Sequence, residues 1–223
     1  MSSFPIVPEE KLFGERNGSL PEERLSEEAK GRRQSGYPVH PLFLNRWSPR
    51  SFADRPVPDD VLFTVLEAAR WAPSSNNDQP WRFFVARTEE ERQKFLSFIR
   101  PNNRLWADRA PALVLLASHK RRPDGSPNPA HAFDTGTAWG YLSIQAALLG
   151  LATRAIGGFD KEAARAALRV PDDFDLHAVI AIGYRGPREE LPEPLREREW
   201  PTGRRSLHES VIEGGFPAEV GQQ

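Results

Sequence analysis

Two stretches of this chain carry cations at a spacing that suits an anion. In NRWSPRSF, Arg46, Ser48 and Arg50 stand two apart, so an extended backbone would point all three side chains to one side. Two guanidiniums with a hydroxyl between them form a clamp for phosphate or carboxylate, because arginine offers a planar fork of donors and stays charged. Taken alone, a pair of solvated arginines is the simpler reading. Arg204 and Arg205 in TGRRSLHES form a second cationic pair, open to the same two readings.

A third stretch, PSSNNDQPW at 73–81, contains hydroxyls and amides without a strong acid or base. Such groups suit a polar heterocycle, whose carbonyls and ring nitrogens need donors and acceptors together. An Asx-rich turn between a helix and a strand accounts for three or four of these residues and leaves the rest unexplained. Gly157 and Gly158 in AIGGFD precede a helix starting near Asp160, which allows either close backbone approach to a ligand or a plain tight turn.

Other chemistries lack their signatures. The sequence has no G-x-G-x-x-G after a strand, no P-loop, no H-E-x-x-H and no G-x-S-x-G. His119, His131, His177 and His208 are far apart in the chain and read as surface or core residues, so no metal site is expected. With no cysteine, disulfides, thiolate ligands and cysteine nucleophiles are excluded together. A net charge of -1 provides no basic field for nucleic acid or an anionic membrane. No secretory pattern or apolar run of about 18 residues is present, so a cytoplasmic protein is expected.

The elements that would position these groups are legible in outline. At 223 residues one main domain is expected, with residues 1–40 as an extension lacking chemistry of its own and 213–223 as a tail. Within the first part, LPEERLSEEAKGRR suggests a short solvated helix. In PDDVLFTVLEAARWA the apolar residues recur at helical spacing, and WRFFVA has the content of a strand. Thr88 and Glu91 then form a capping box ahead of another helix. ALVLLAS at 112–118 and AVIAIGY at 178–184 read as interior strands. Between them TAWGYLSIQAALLGLA is apolar on nearly every face, which implies a helix buried all round or shared with a second subunit; at this length the shared helix is expected. The result is an α+β domain with a sheet covered by helices. The Pro-rich, charged run after residue 185 reads as a tail laid over the surface and ending in a short helix.

Taken in order, RWSPRSF, APSSNNDQPWRFFV, NNRLWADRAPALVLLAS, LGLATRAIGGFD and GRRSL resemble the nitroreductase family of FMN-dependent oxidoreductases over roughly residues 41–212. The resemblance implies a central antiparallel or mixed sheet flanked by helices, in an intertwined homodimer with FMN at the subunit interface. It assigns Arg46, Trp47, Ser48 and Arg50 to the phosphate, ribityl chain and pyrimidine edge, with Arg204 and Arg205 also at the phosphate. Pro73, Ser74, Ser75 and Asn77 would reach the flavin of the partner subunit, with Gln79 nearby. Asn103 would contact the isoalloxazine edge, and the backbone of Gly157 and Gly158 would face flavin N5. Trp47 departs from the smaller or polar residues common at that position and would narrow the pocket or stack near the flavin.

The reaction implied is hydride transfer from NADH or NADPH to flavin N5 and on to a small electron-poor acceptor such as a nitroaromatic or quinone, by a ping-pong cycle without a protein acid or base. The alternatives are a specialised flavin reaction on the same fold, such as dehalogenation, enoate reduction or azoline oxidation, and a flavin carrier with little turnover. The loop at 118–133 is the candidate lid.

Overall fold

The computed structural model describes residues 24–216; expectations for the remaining termini lie outside them. Its sheet has strands β1 (Trp81–Ala86), β2 (Ala112–His119), β3 (Leu151–Ile156) and β4 (Phe174–Tyr184) in the order β1-β2-β4-β3. Every pairing among them is antiparallel, within the α+β class expected. β2 is buried from Ala112 through Ser118, as a central strand covered on both faces must be.

Period-2 alternation sorts the strand side chains into two cores. Ala112, Val114, Ile180 and Ile182 pack against helices α2 (Asp59–Arg70) and α5 (His131–Leu148). Leu113, Leu115, Val179 and Ala181 pack on the other face with α3 (Glu89–Phe98), α4 (Pro101–Ala107) and α6 (Lys161–Leu168). Two short helices, α1 (Pro41–Asn45) and α7 (Glu193–Arg196), complete the set among the described residues. The capping box forms in both directions: Glu91 N–H donates to Thr88 Oγ1 at 3.3 Å, and Thr88 N–H donates to the Glu91 carboxylate at 3.0 Å. Among the described residues no helix is long and apolar enough to cross a membrane.

Two expectations need correction. The apolar run at 137–152 is not all helix: α5 ends at Leu148, Gly150 turns the chain at φ +71°, and LATRAI becomes edge strand β3. The apolar character continues unbroken across that boundary, so periodicity does not reveal it. The tail also ends differently, since Leu207–Glu209 forms a single 3₁₀ turn.

The 46–50 segment is anchored by the residues that follow it. Phe52 is fully buried and forms a bridge with Arg185, where Ala53 N–H donates to the Tyr184 carbonyl at 2.9 Å and Gly186 N–H to the Ser51 carbonyl at 3.0 Å. A Cβ on Gly186 would lie 2.7 Å from the Phe52 carbonyl carbon, a backbone atom with nowhere to go. Gly186→Ala is therefore expected to cost about 1–3 kcal/mol, lowering Tm by several degrees in thermal unfolding. An unchanged Tm would show that this bridge is not tightly packed.

Candidate functional site

Arg46, Ser48 and Arg50 line one cavity of about 270 Å³, as their spacing implies, and Trp47 forms part of its wall. Arg204 enters from the C-terminal run, and the Arg46 guanidinium lies 3.4 Å from Ser48 Oγ. Three more arginines, unmarked in the sequence, join the lining, as do Trp200 and Thr202. Arg154 comes from β3, Arg33 from the turn before α1, and Arg198 from the run after α7. Alternation in LATRAI points Arg154 to the side of Trp106, whose ring its guanidinium approaches at 5.3 Å. Recognising β3 as a strand would have revealed that orientation; no local signal marks Arg33.

The buried carboxylate beside this cluster, Glu199, is already engaged. It accepts the backbone N–H groups of Arg50 and, at 2.9 Å, Ser51, and lies 3.5 Å from the Arg50 guanidinium. Among the described residues Arg33, Arg46, Arg154, Arg198 and Arg204 form no ion pair. Burial lowers the pKa of Arg154 to about 10, helped by the charge of Arg50 and opposed by Glu199. Burial and the nearby Arg204 also lower Arg46, and Arg33 is lowered by burial, Arg204 and Arg46. These charges are costly in an empty cavity and would be compensated by a multiply charged anion. Arg205, assigned to the same anion by the resemblance, is exposed and does not line the cavity. Arg185, paired with Glu28, lies 5.1 Å from the Trp47 ring and does not line the cavity.

β3 links the cavity to the glycine pair. From Arg154 to Gly157 the strand advances about 10 Å at 3.3 Å per residue. Neither glycine has left-handed φ, so access rather than turn geometry explains them. A Cβ on Gly157 would meet nothing within 4 Å, leaving bare backbone in open space. On Gly158 it would lie 2.5 Å from Asn103 Nδ2, which donates to the Gly158 carbonyl at 3.3 Å. Two positions from separate motifs thus meet at the end of β3.

The amide-rich turn is strained and only partly self-satisfied. Asn76, Asn77 and Gln79 have φ of 52°, 58° and 48°. Asparagine tolerates that region, whereas Gln79 is held there by its N–H donating to Ser74 Oγ at 3.1 Å. Ser75 N–H donates to the buried Asp134 carboxylate of α5, also at 3.1 Å. The side chains of Asn76 and Asn77 are exposed and make no hydrogen bond among the described residues. Pro73 is exposed at the start of the turn. The turn leads into β1, at the opposite sheet edge from β3, about 14 Å away by strand spacing alone. One chain therefore does not bring residues 73–79 to the arginine cavity.

Histidines far apart in sequence do meet. Ser118 Oγ lies 2.7 Å from His131 Nδ1 and 2.6 Å from His177 Nε2, while His119 pairs with Asp173 at 2.7 Å. Burial holds His177 below its ordinary range, against the charge of Asp175. This cluster closes the base of the 120–130 loop, and Arg122 of that loop lies 3.4 Å from Asp78 in the amide-rich turn. Among the described residues no group of His, Asp and Glu is arranged to hold a metal ion.

Helix α5 is buried on one side only. Ala138, Leu142 and Ala146 are in the core, whereas Phe133 is 79% exposed. Tyr141 and Ile144 line an open groove of about 590 Å³ with Phe43.

The chain is similar to known proteins along most of its length. The sequence profile of the nitroreductase family matches residues 44–104 and 98–184. A Streptomyces coelicolor protein provisionally named NADH dehydrogenase/NAD(P)H nitroreductase is 31% identical over 163 residues, covering 64% of this chain and 81% of its own. An NADH dehydrogenase from Thermus thermophilus is 31% identical over 171 residues, covering 63% and 83%. A crystal structure described as an oxidoreductase containing FMN is 42% identical with a TM-score of 0.80, covering 83% of this chain and 96% of that one.

Proposed function

Because the chain belongs to the nitroreductase family, we propose that it is an FMN-dependent oxidoreductase drawing electrons from NADH or NADPH and passing them to electron-poor acceptors such as nitroaromatics or quinones. The observation that carries this reading is the cavity of six arginines, of which only Arg50 is paired with the neighbouring carboxylate, Glu199, among the described residues. That donor set fits a phosphomonoester dianion, and the exposed Gly157 backbone about 10 Å along β3 fits the approach of a flat ring. When bound, FMN supplies a ring that accepts two electrons at N5 from the nicotinamide and delivers them to the acceptor.

The chain's own groups bind and orient. Arg46, Arg50, Arg154 and Arg204 neutralise the phosphate, and Ser48 adds a hydroxyl. Asn103 sits at the ring edge, while Gly157 and Gly158 keep side chains away from the reacting face. The amide-rich turn would act across a homodimer: Pro73, Ser74, Ser75, Asn77 and Gln79 of one subunit serve the ring held by the other. This accounts for their position at the opposite edge of the sheet and for the uncovered face of α5. Residues 41–212 form the flavin-binding unit in this reading.

The test is a visible spectrum of the purified protein, repeated anaerobically with NADH and then NADPH. Flavin bands that bleach are expected and would name the donor. Bands that persist with both would indicate a carrier, and a protein that cannot be loaded with FMN would overturn the reading.

A further inference from the structure

The segment before α1, expected to be an inert arm, is stitched to the residues that wall the arginine cavity. Ala29 is fully buried, Ser26 N–H donates to Asn45 Oδ1 at 2.8 Å, and the Arg32 guanidinium lies 4.2 Å from the Trp200 ring. Arg33 is the central stitch. It is 7% exposed, and Nη1 donates to the carbonyls of Leu44 (2.8 Å) and Arg46 (2.7 Å) while Nε donates to that of Thr202 (2.9 Å). One guanidinium thus ties the N-terminal segment to both walls of the cavity. Its Nη2 has no hydrogen bond among the described residues, and the side chain lines the cavity. The family profile begins at residue 44, so this arginine lies outside the matched region.

We propose that Arg33 is a specificity-determining residue for the terminal phosphate of the ligand and that residues 24–40 form a strap whose docking is coupled to that phosphate. The proposal rests on the reading that the cavity takes the phosphate of FMN. A buried cation beside Arg46 and Arg204 is costly when the cavity holds no anion and favourable when it holds one. By linkage, a dianion that draws on Arg33 tightens the strap, and a docked strap tightens the dianion.

The test uses the full flavin-free chain, titrated with FMN and with riboflavin by flavin fluorescence, alongside Arg33→Gln and Arg33→Lys. Arg33→Gln is expected to weaken FMN at least about tenfold, the loss of one charge-assisted contact, while leaving riboflavin within about twofold; Arg33→Lys should recover part of the difference. In the unaltered chain, FMN or inorganic phosphate should slow tryptic cleavage after Lys30 and Arg32 at least about tenfold. Equal weakening of both ligands, or unchanged FMN affinity, would overturn the proposal. Should Arg33→Gln fail to fold, strap cleavage indifferent to ligand in the unaltered chain would overturn it as well. An unaltered chain that binds neither FMN nor phosphate would refute the underlying reading.

Discussion

Replacing Arg46 and Arg154 together with alanine is expected to abolish FMN retention, weakening affinity by about 100- to 20,000-fold. Each charge-assisted hydrogen bond to a phosphate contributes about 1.5–3 kcal/mol, so the pair is worth about 3–6 kcal/mol. The stability of the flavin-free protein should not fall in parallel. Both arginines have a folded-state pKa below the ordinary value, so below that pKa, about 10 for Arg154, their charged forms are penalised by folding. That penalty is present at neutral pH, and removing the charges relieves it. The loss of the Arg154 hydrogen bond to the Ser48 carbonyl and its packing on Trp106 opposes the gain. A nearly unchanged Tm with lost flavin, read by calorimetry and by absorbance after desalting, is therefore the expected result. Flavin occupancy like that of the unaltered protein would remove the arginine cavity as the phosphate site. FMN binding to the unaltered protein should also weaken as pH rises through about 10, where Arg154 gives up its proton.

The second large effect concerns the open face of α5. Tyr141→Glu combined with Ile144→Glu should convert the proposed homodimer to monomers and release FMN, although neither residue lines the arginine cavity. Burying a large apolar side chain contributes about 1.5–3 kcal/mol, and a two-fold interface uses each position twice, so four buried side chains represent about 6–12 kcal/mol. Light scattering coupled to size exclusion, with flavin absorbance followed across the peak, measures both consequences. A monomer that keeps FMN at full affinity would show that the 73–79 turn does not act across the dimer. A dimer that survives both substitutions would show that α5 is not its interface.

These two variants also separate what was written locally from what was not. The sequence alone determined the clamp of Arg46, Ser48 and Arg50, the capping box at Thr88, strands β1 and β2, most of β4, and the order of motifs by which the family is recognised. Each depends on residues within a few positions of one another, where spacing converts directly into a shared face or a hydrogen bond. The sequence also marked the 73–81 run as exceeding the needs of a turn, and among the described residues the Asn76 and Asn77 side chains make no hydrogen bond.

Only the tertiary structure decided how the cavity is completed. Arg33, Arg154 and the adjacent pair Arg198 and Glu199 come from three stretches that share no pattern, and they meet because β3 pairs along the edge of β4 while the N-terminal and C-terminal segments cross beside it. Strand β3 itself was hidden, since the apolar run passes from α5 through Gly150 without a change of period. The convergence of His131 and His177 on Ser118, and the separation of the amide-rich turn from the arginines, likewise depend on sheet order. Local periodicity encodes which way a side chain faces; which distant side chain it faces is set by long-range packing of the whole chain.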